Sequence, residues 1–110
     1  MYSSKLKYST SLKFKIKNMI ELKIRPAIVT SKSGDIKDSV NYKSSYKYVD
    51  WDKPDTHAQC IYNDLLACAH DHPEQFVHLV GYSVFKTKEY VSDVLTVYIP
   101  GNIPENIYGY

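Results

Sequence analysis

A chain of 110 residues with 44% hydrophobic and 24% charged residues has the balance of one folded globule, able to bury about 65% of its unfolded surface around a single core. That balance excludes a disordered tail, and no apolar run approaches the roughly 18 residues that a membrane-spanning helix needs. The formal net charge of +2 conceals an asymmetry: residues 1–25 carry seven cations against Glu21 alone, while the remainder carries seven lysines against eleven carboxylates.

In the first quarter, Leu12, Phe14 and Ile16 alternate with Lys13, Lys15 and Lys17, and Ile20, Leu22 and Ile24 alternate with Glu21, Lys23 and Arg25. A period of two predicts two half-buried strands, separated near Asn18, with Pro26 placing the second at a sheet edge or ending its regular ladder. Met19 opens Met-Ile-Glu-Leu-Lys-Ile, a plausible start, so residues 1–18 read as a basic strand or extension and residues 19–110 as a single α+β domain. On that reading, deleting residues 1–18 leaves thermal stability unchanged. Ser31 to Asp35 forms a turn in which Gly34 takes a positive φ.

Val40, Tyr42, Tyr46 and Tyr48 share one parity and predict a third strand with an aromatic face. A helix follows, with Thr56 as N-cap and Gln59 completing a capping box in preference to a start at Asp52, Pro54 and Asp55. Ala58, Ile61, Tyr62, Leu65, Cys68 and Ala69 form its apolar stripe, and Pro73 stops it near Asp71. Phe76 to Phe85 is apolar on both parities, as in a central strand. Lys86 to Glu89 connects it to a last strand, Tyr90 to Ile99, which Pro100 and Gly101 end. The expected fold is α+β: an antiparallel sheet of four to five strands, with the hairpin Phe76–Ile99 at its centre and one main helix packed on one face.

The chain shows no cofactor signature, since Gly34, Gly81, Gly101 and Gly109 are too scattered to cradle a phosphate. Cys60 and Cys68 lie about 12 Å apart along the predicted helix, beyond disulfide reach, and free thiols suit a reducing compartment. With no apolar signal-peptide core at the N-terminus, the expected location is the cytoplasm. His57, Cys60 and Asp64 share one helix face at i, i+3 and i+7, a spacing from which a metal or proton-transfer site could be drawn. No Cys-x-x-Cys or His-Glu-x-x-His pair supports it, so the simpler reading is a polar first turn, a boundary thiol and a surface acid. A second mixed set, Cys68 and His72 with His70, Asp71 and His78, straddles the helix end, where Pro73 frays it. His70 also suits the negative end of the helix dipole. No cofactor and no catalytic residue is expected.

Eleven tyrosines exceed what so small a core needs, and exposed tyrosine favours recognition surfaces. Tyr42, Tyr46, Tyr48 and Trp51, with Asp50, Asp52 and Asp55, are the expected partner-binding surface. Lysine outnumbers arginine thirteen to one, a composition suggesting an AT-rich genome such as that of a phage or mobile element. The expected function is therefore a non-enzymatic accessory factor, monomeric or a small homo-oligomer, that binds and modulates a host protein. One alternative is a nucleic-acid binder using Lys13, Lys15 and Lys17 with the tyrosine strand. The other is a small metal-dependent hydrolase or nuclease using His57, Cys60 or His70.

Overall fold

The computed structural model describes residue 6, residues 11–43 and residues 52–100. In chain order these form α1 (Leu12–Glu21), β1 (Arg25–Ser31), a short 3-10 turn (Ile36–Asp38), β2 (Val40–Lys43), α2 (Pro54–Asp71), β3 (Phe76–Phe85) and β4 (Lys88–Tyr98). The strands make a four-stranded antiparallel sheet in the order β2-β1-β3-β4. Both helices lie on one face of it. The fold is α+β as expected, with two helices where one main helix was foreseen.

The largest departure from expectation is α1, which replaces the first predicted strand and half of the second. Its buried residues Leu12, Ile16, Met19 and Ile20 follow the helical spacing i, i+4, i+7 and i+8, and Phe14, the residue that completed the alternation, is left exposed. Lysine, leucine, methionine and glutamate all favour helix, whereas lysine is depleted in strands, so local propensity and the buried stripe agree against the alternation. Leu6, Leu12 and Ile16 are fully buried in the core.

The end of α1 is closed by backbone alone. Lys23, at φ 62°, donates its N–H to the Ile20 carbonyl and Ile24 donates to the Met19 carbonyl, the paired bonds of a Schellman motif. Its apolar contact is Met19 with Ile24, and both side chains converge on Gly81 of β3: a Cβ there would sit 2.7 Å from Met19 Cε and from Ile24 Cγ2. This turn feeds β1, an interior strand, so the expected edge position for Pro26 does not hold for the strand as a whole. Among the described residues, β2 pairs with Ile28 to Thr30.

α2 starts at Pro54, two residues before the expected Thr56 cap. Lys53 is the N-cap and makes no side-chain capping bond, whereas Pro54 presets the helical φ and Asp55 sits in the positive first turn. The helix ends at Asp71 as expected, and Ala58, Ile61, Leu65, Cys68 and Ala69 are buried with Tyr62 packed beside them. That stripe meets α1 and the sheet residues Ile28, Val77, Leu79 and Val97 in one apolar core. Burial pushes the Cys68 thiol up to about 12, so it is inert as a nucleophile. Gly34 has the expected positive φ, 86°.

The hairpin boundaries match expectation closely, but its place in the sheet does not. β3 is interior while β4 is an edge strand, with β1 as the other central strand. The opposite face of the sheet is closed over its middle as well: Ala27, Val29, Ser31, His78 and Val80 are all buried.

Candidate functional site

The register of β3 fixes where the sheet stops supporting the hairpin. β1 pairs with β3 only as far as Arg25 opposite Tyr82, so the pairs Ser83–Tyr90, Val84–Glu89 and Phe85–Lys88 form a two-stranded ribbon with no third strand among the described residues. Lys86 and Thr87 alone turn the chain, at φ 51° and 68°. That is the geometry of a type I′ turn, held here without glycine or asparagine.

Directly opposite residues share a face, so Phe85, Lys88 and Tyr90 stand on the helix side and Tyr82, Val84, Glu89 and Val91 on the other. Apolar side chains on both faces remain open to solvent: Val84 is 69% exposed, Phe85 64%, Tyr90 50% and Val91 49%. A two-stranded ribbon is marginal in water, and this one gains little from burial of its own. Arg25 braces its root. The guanidinium lies 4.7 Å over the Tyr82 ring and donates two hydrogen bonds of 2.6 Å, from Nε and an Nη, to the Glu89 carboxylate. Those bonds hold Arg25 above and Glu89 below their ordinary pKa ranges. With Glu89 neutralised, Lys86 and Lys88 leave the tip positive.

Beyond the ribbon, the outer edge of β4 has no strand beside it among the described residues. Two bulges interrupt it, because Ser92 and Val97 have no opposite residue on β3. Next to the stretch between them runs a groove of about 260 Å³ between α1 and β4, with Met19, Leu22, Ile24, Leu79 and Leu95 in its lining and Lys15 and Asp93 as its charged walls. Leu22, just past the end of α1, is 71% exposed at its rim.

The residues singled out from the sequence fall elsewhere. Tyr42 is half-buried: its hydroxyl donates to Asp71 at 3.2 Å and its ring meets His72 edge-on at 5.7 Å, so it packs β2 onto the end of α2. Burial and the Asp71 bond both raise its pKa. Asp55 is exposed and pairs with Lys17 at 3.2 Å; Asp52 is exposed. Tyr46, Tyr48, Asp50 and Trp51 lie outside the described residues. The lysines Lys13, Lys15 and Lys17, aligned if the segment were a strand, are dispersed by the helix. Lys13 lies over the Tyr62 ring and Lys17 pairs with Asp55 toward α2, while Lys15 lines the β4 groove. His57, Cys60 and Asp64 share an α2 face as expected, yet Asp64 binds Lys43 at 3.0 Å, and among the described residues no group of three His, Cys, Asp or Glu is placed to hold a metal ion. The second set is scattered. Cys68 is in the core, His70 lies 3.7 Å from Asp71, His72 packs on Tyr42, and His78 points to the other face of the sheet.

His78 belongs to an arrangement that local sequence could not reveal. Its Nε2 lies 2.8 Å from Ser31 Oγ and its Nδ1 3.0 Å from Thr96 Oγ1, joining β1, β3 and β4 by side chains, while the Gly34 N–H donates to the same serine oxygen. One ring nitrogen of a neutral imidazole donates and the other accepts, so the two hydroxyls satisfy it completely. Serine, histidine and threonine in this order resemble a nucleophile, its base and an orienting group. Ser31 and His78 are each 1% exposed, and burial holds the imidazole below its ordinary pKa. The network ties β1, β3 and β4 together.

Among the described residues no helix is long and apolar enough to cross a membrane. Comparison of the chain with family models, with curated proteins and with solved structures finds no match in any of the three.

Proposed function

We propose that this chain is a non-enzymatic protein-binding module that engages its partner through the β3–β4 ribbon. The observation that carries this reading is the set of four large side chains, Val84, Phe85, Tyr90 and Val91, exposed on both faces of a ribbon that extends past the end of β1. Covering them removes apolar surface from water at about 25 cal/mol per Å², and aromatic and aliphatic anchors beside a lysine-flanked tip suit a protein surface with an acidic rim. Nucleic acid fits less well. Phe85 and Tyr90 could stack on bases and Lys86 and Lys88 contact phosphates, but Val84 and Val91 on the other face offer a nucleotide neither stacking nor charge.

A photo-crosslinking amino acid placed at position 84 or 90 of the full chain, expressed in cells of its source, tests this. Both positions should yield the same protein adduct, which Phe85→Glu abolishes and a crosslinker at position 37 does not form. Absence of a shared adduct, or one sensitive to nuclease and insensitive to protease, overturns the proposal.

A further inference from the structure

We infer that the open edge of β4 accepts an extended segment of the partner protein as a fifth strand, and that this segment carries a lysine or arginine flanked on the same face by apolar residues. The inference rests on the protein-binding reading and names the chemistry of the ligand. The bulges at Ser92 and Val97 leave a regular edge only over Asp93 to Thr96, where every second residue directs its N–H and C=O outward and no strand lies alongside among the described residues. Bulges of this kind protect an edge from indiscriminate association, so a short window left between two of them confines pairing to one place.

That window coincides with the groove. Asp93, Val94 and Leu95 form its β4 wall, and Leu22 overhangs it from α1. A strand added beside β4 projects every second side chain toward the helix side, where it would cover Leu22 and the open flank of Leu95. Main-chain hydrogen bonds would supply affinity and the groove would select the side chains.

Charge decides which side chains. Asp93 stands opposite Gly81, where no side chain competes for it, and has no hydrogen-bond or ion-pair partner among the described residues. An incoming cation on the same face would pair with it at an interface the added strand partly dries.

The test uses the full chain with the acetylated, amidated peptide Thr-Val-Thr-Arg-Thr-Val-Thr and its counterpart with glutamate in place of arginine, followed by backbone amide NMR and by affinity. The arginine peptide should shift and protect the amides of Asp93 to Thr96 and shift Leu22. Asp93→Asn should weaken it about tenfold, and Asp93→Lys should reverse the preference toward the glutamate peptide. Leu22→Ser, at an exposed position, should weaken both peptides and leave folding intact. Equal affinity for the two peptides, or shifts confined to other elements, overturns the inference. So does concentration-dependent protection of the β4 amides without peptide, which would assign the edge to a second copy. If crosslinks from positions 84 and 90 persist while the peptides fail to bind here, the strand-addition inference falls and the protein-binding reading stands; loss of both removes both.

Discussion

The two ends of the β3–β4 hairpin share one valine- and aromatic-rich composition and have opposite fates. At the base, Val77, Leu79 and Val97 are sealed against α1 and α2; at the tip, Val84, Phe85, Tyr90 and Val91 face solvent. Nothing in the hairpin itself makes that difference. It comes from its neighbours: the turn at Lys23 starts β1 at Arg25, opposite Tyr82, so the hairpin beyond Tyr82 has no third strand among the described residues. Burial is thus a property of how far adjacent elements reach, and a strand that outruns them becomes a contact surface.

The strongest way to break this comparison is to attack what seals the base. Leu12→Ala or Ile16→Ala should each cost about 2–5 kcal/mol in urea unfolding, as emptied core positions do. Deleting residues 1–18 removes Leu6, Leu12 and Ile16 together and should abolish cooperative unfolding. Val84→Ala at the tip should stay within about 0.5 kcal/mol of the parent. Equal costs at the two ends would mean that the tip is buried in solution.

Next in size is the junction between α1 and β3. Gly81→Ala places a methyl group 2.7 Å from both Met19 and Ile24, and overpacking of this kind costs about 1–3 kcal/mol. Met19→Ala in the same chain should recover part of the loss, because it removes one of the two clashing side chains. If Gly81→Ala is neutral in a thermal melt, the α1 turn is not pinned to the sheet there.

These positions show how much was legible beforehand. The α2 stripe, the bounds of β3, most of β4 and the turn at Gly34 follow from period, proline and glycine, because each depends on neighbours within a few residues. α1 was misread because Leu12, Phe14 and Ile16 fit a period of two, while Leu12, Ile16, Met19 and Ile20 fit a period of 3.6; which set is buried is decided by α2, more than thirty residues away. The exposed ribbon was unreadable for a similar reason, since Val84 and Val91 look like core until the length of β1 is known. Ser31 and His78 are 47 positions apart and meet only through strand register. A lone histidine among Val77, Leu79 and Val80 was the available signal.

That histidine supplies a pH test restricted to the base of the hairpin. Burial holds His78 below its ordinary pKa of about 6.5, against a smaller opposing pull from Asp38, so the unfolded chain takes up the proton first as pH falls. Stability from the neutral ring is therefore complete above pH ~6.5 and declines below it, down to the folded pKa. The urea midpoint should drop between pH 7 and pH 5, and His78→Gln should flatten that part of the profile. A parent profile that rises toward pH 5 would contradict the buried, neutral network.

At the tip the expected changes are smaller and of the opposite sign. Lys86 and Thr87 hold positive φ values that cost L-residues about 1–2 kcal/mol each in the left-handed region. Lys86→Asn with Thr87→Gly should thus stabilise the hairpin by about 1 kcal/mol without touching the core. Hydrogen exchange of the Lys88 to Val91 amides should slow, while exchange at Val77 to Leu79 should follow only the global gain. Equal slowing at both ends would mean that tip and base open as one unit.

The smallest expected effect is the most discriminating for the ribbon. Arg25 and Glu89 form an exposed pair, and such pairs contribute at most about 1 kcal/mol even with two hydrogen bonds. Glu89→Gln should cost less than that, and the contribution should be screened by salt. Because the Arg25 bonds hold Glu89 below its ordinary pKa, the contribution is present above the unfolded carboxylate range and lost as pH falls through the folded pKa, in a more acidic window than that of His78. The pair's larger role is positional: Arg25, the first residue of β1, is the one nearest the ribbon, and it ties β4 to β1 by side chain where β1–β3 backbone pairing ends. Glu89→Gln should therefore raise exchange at Tyr90 and Val91 well beyond its effect on the urea midpoint. Matching effects on the two measurements would reduce Arg25 to an ordinary surface pair and leave the ribbon's orientation to the turn alone.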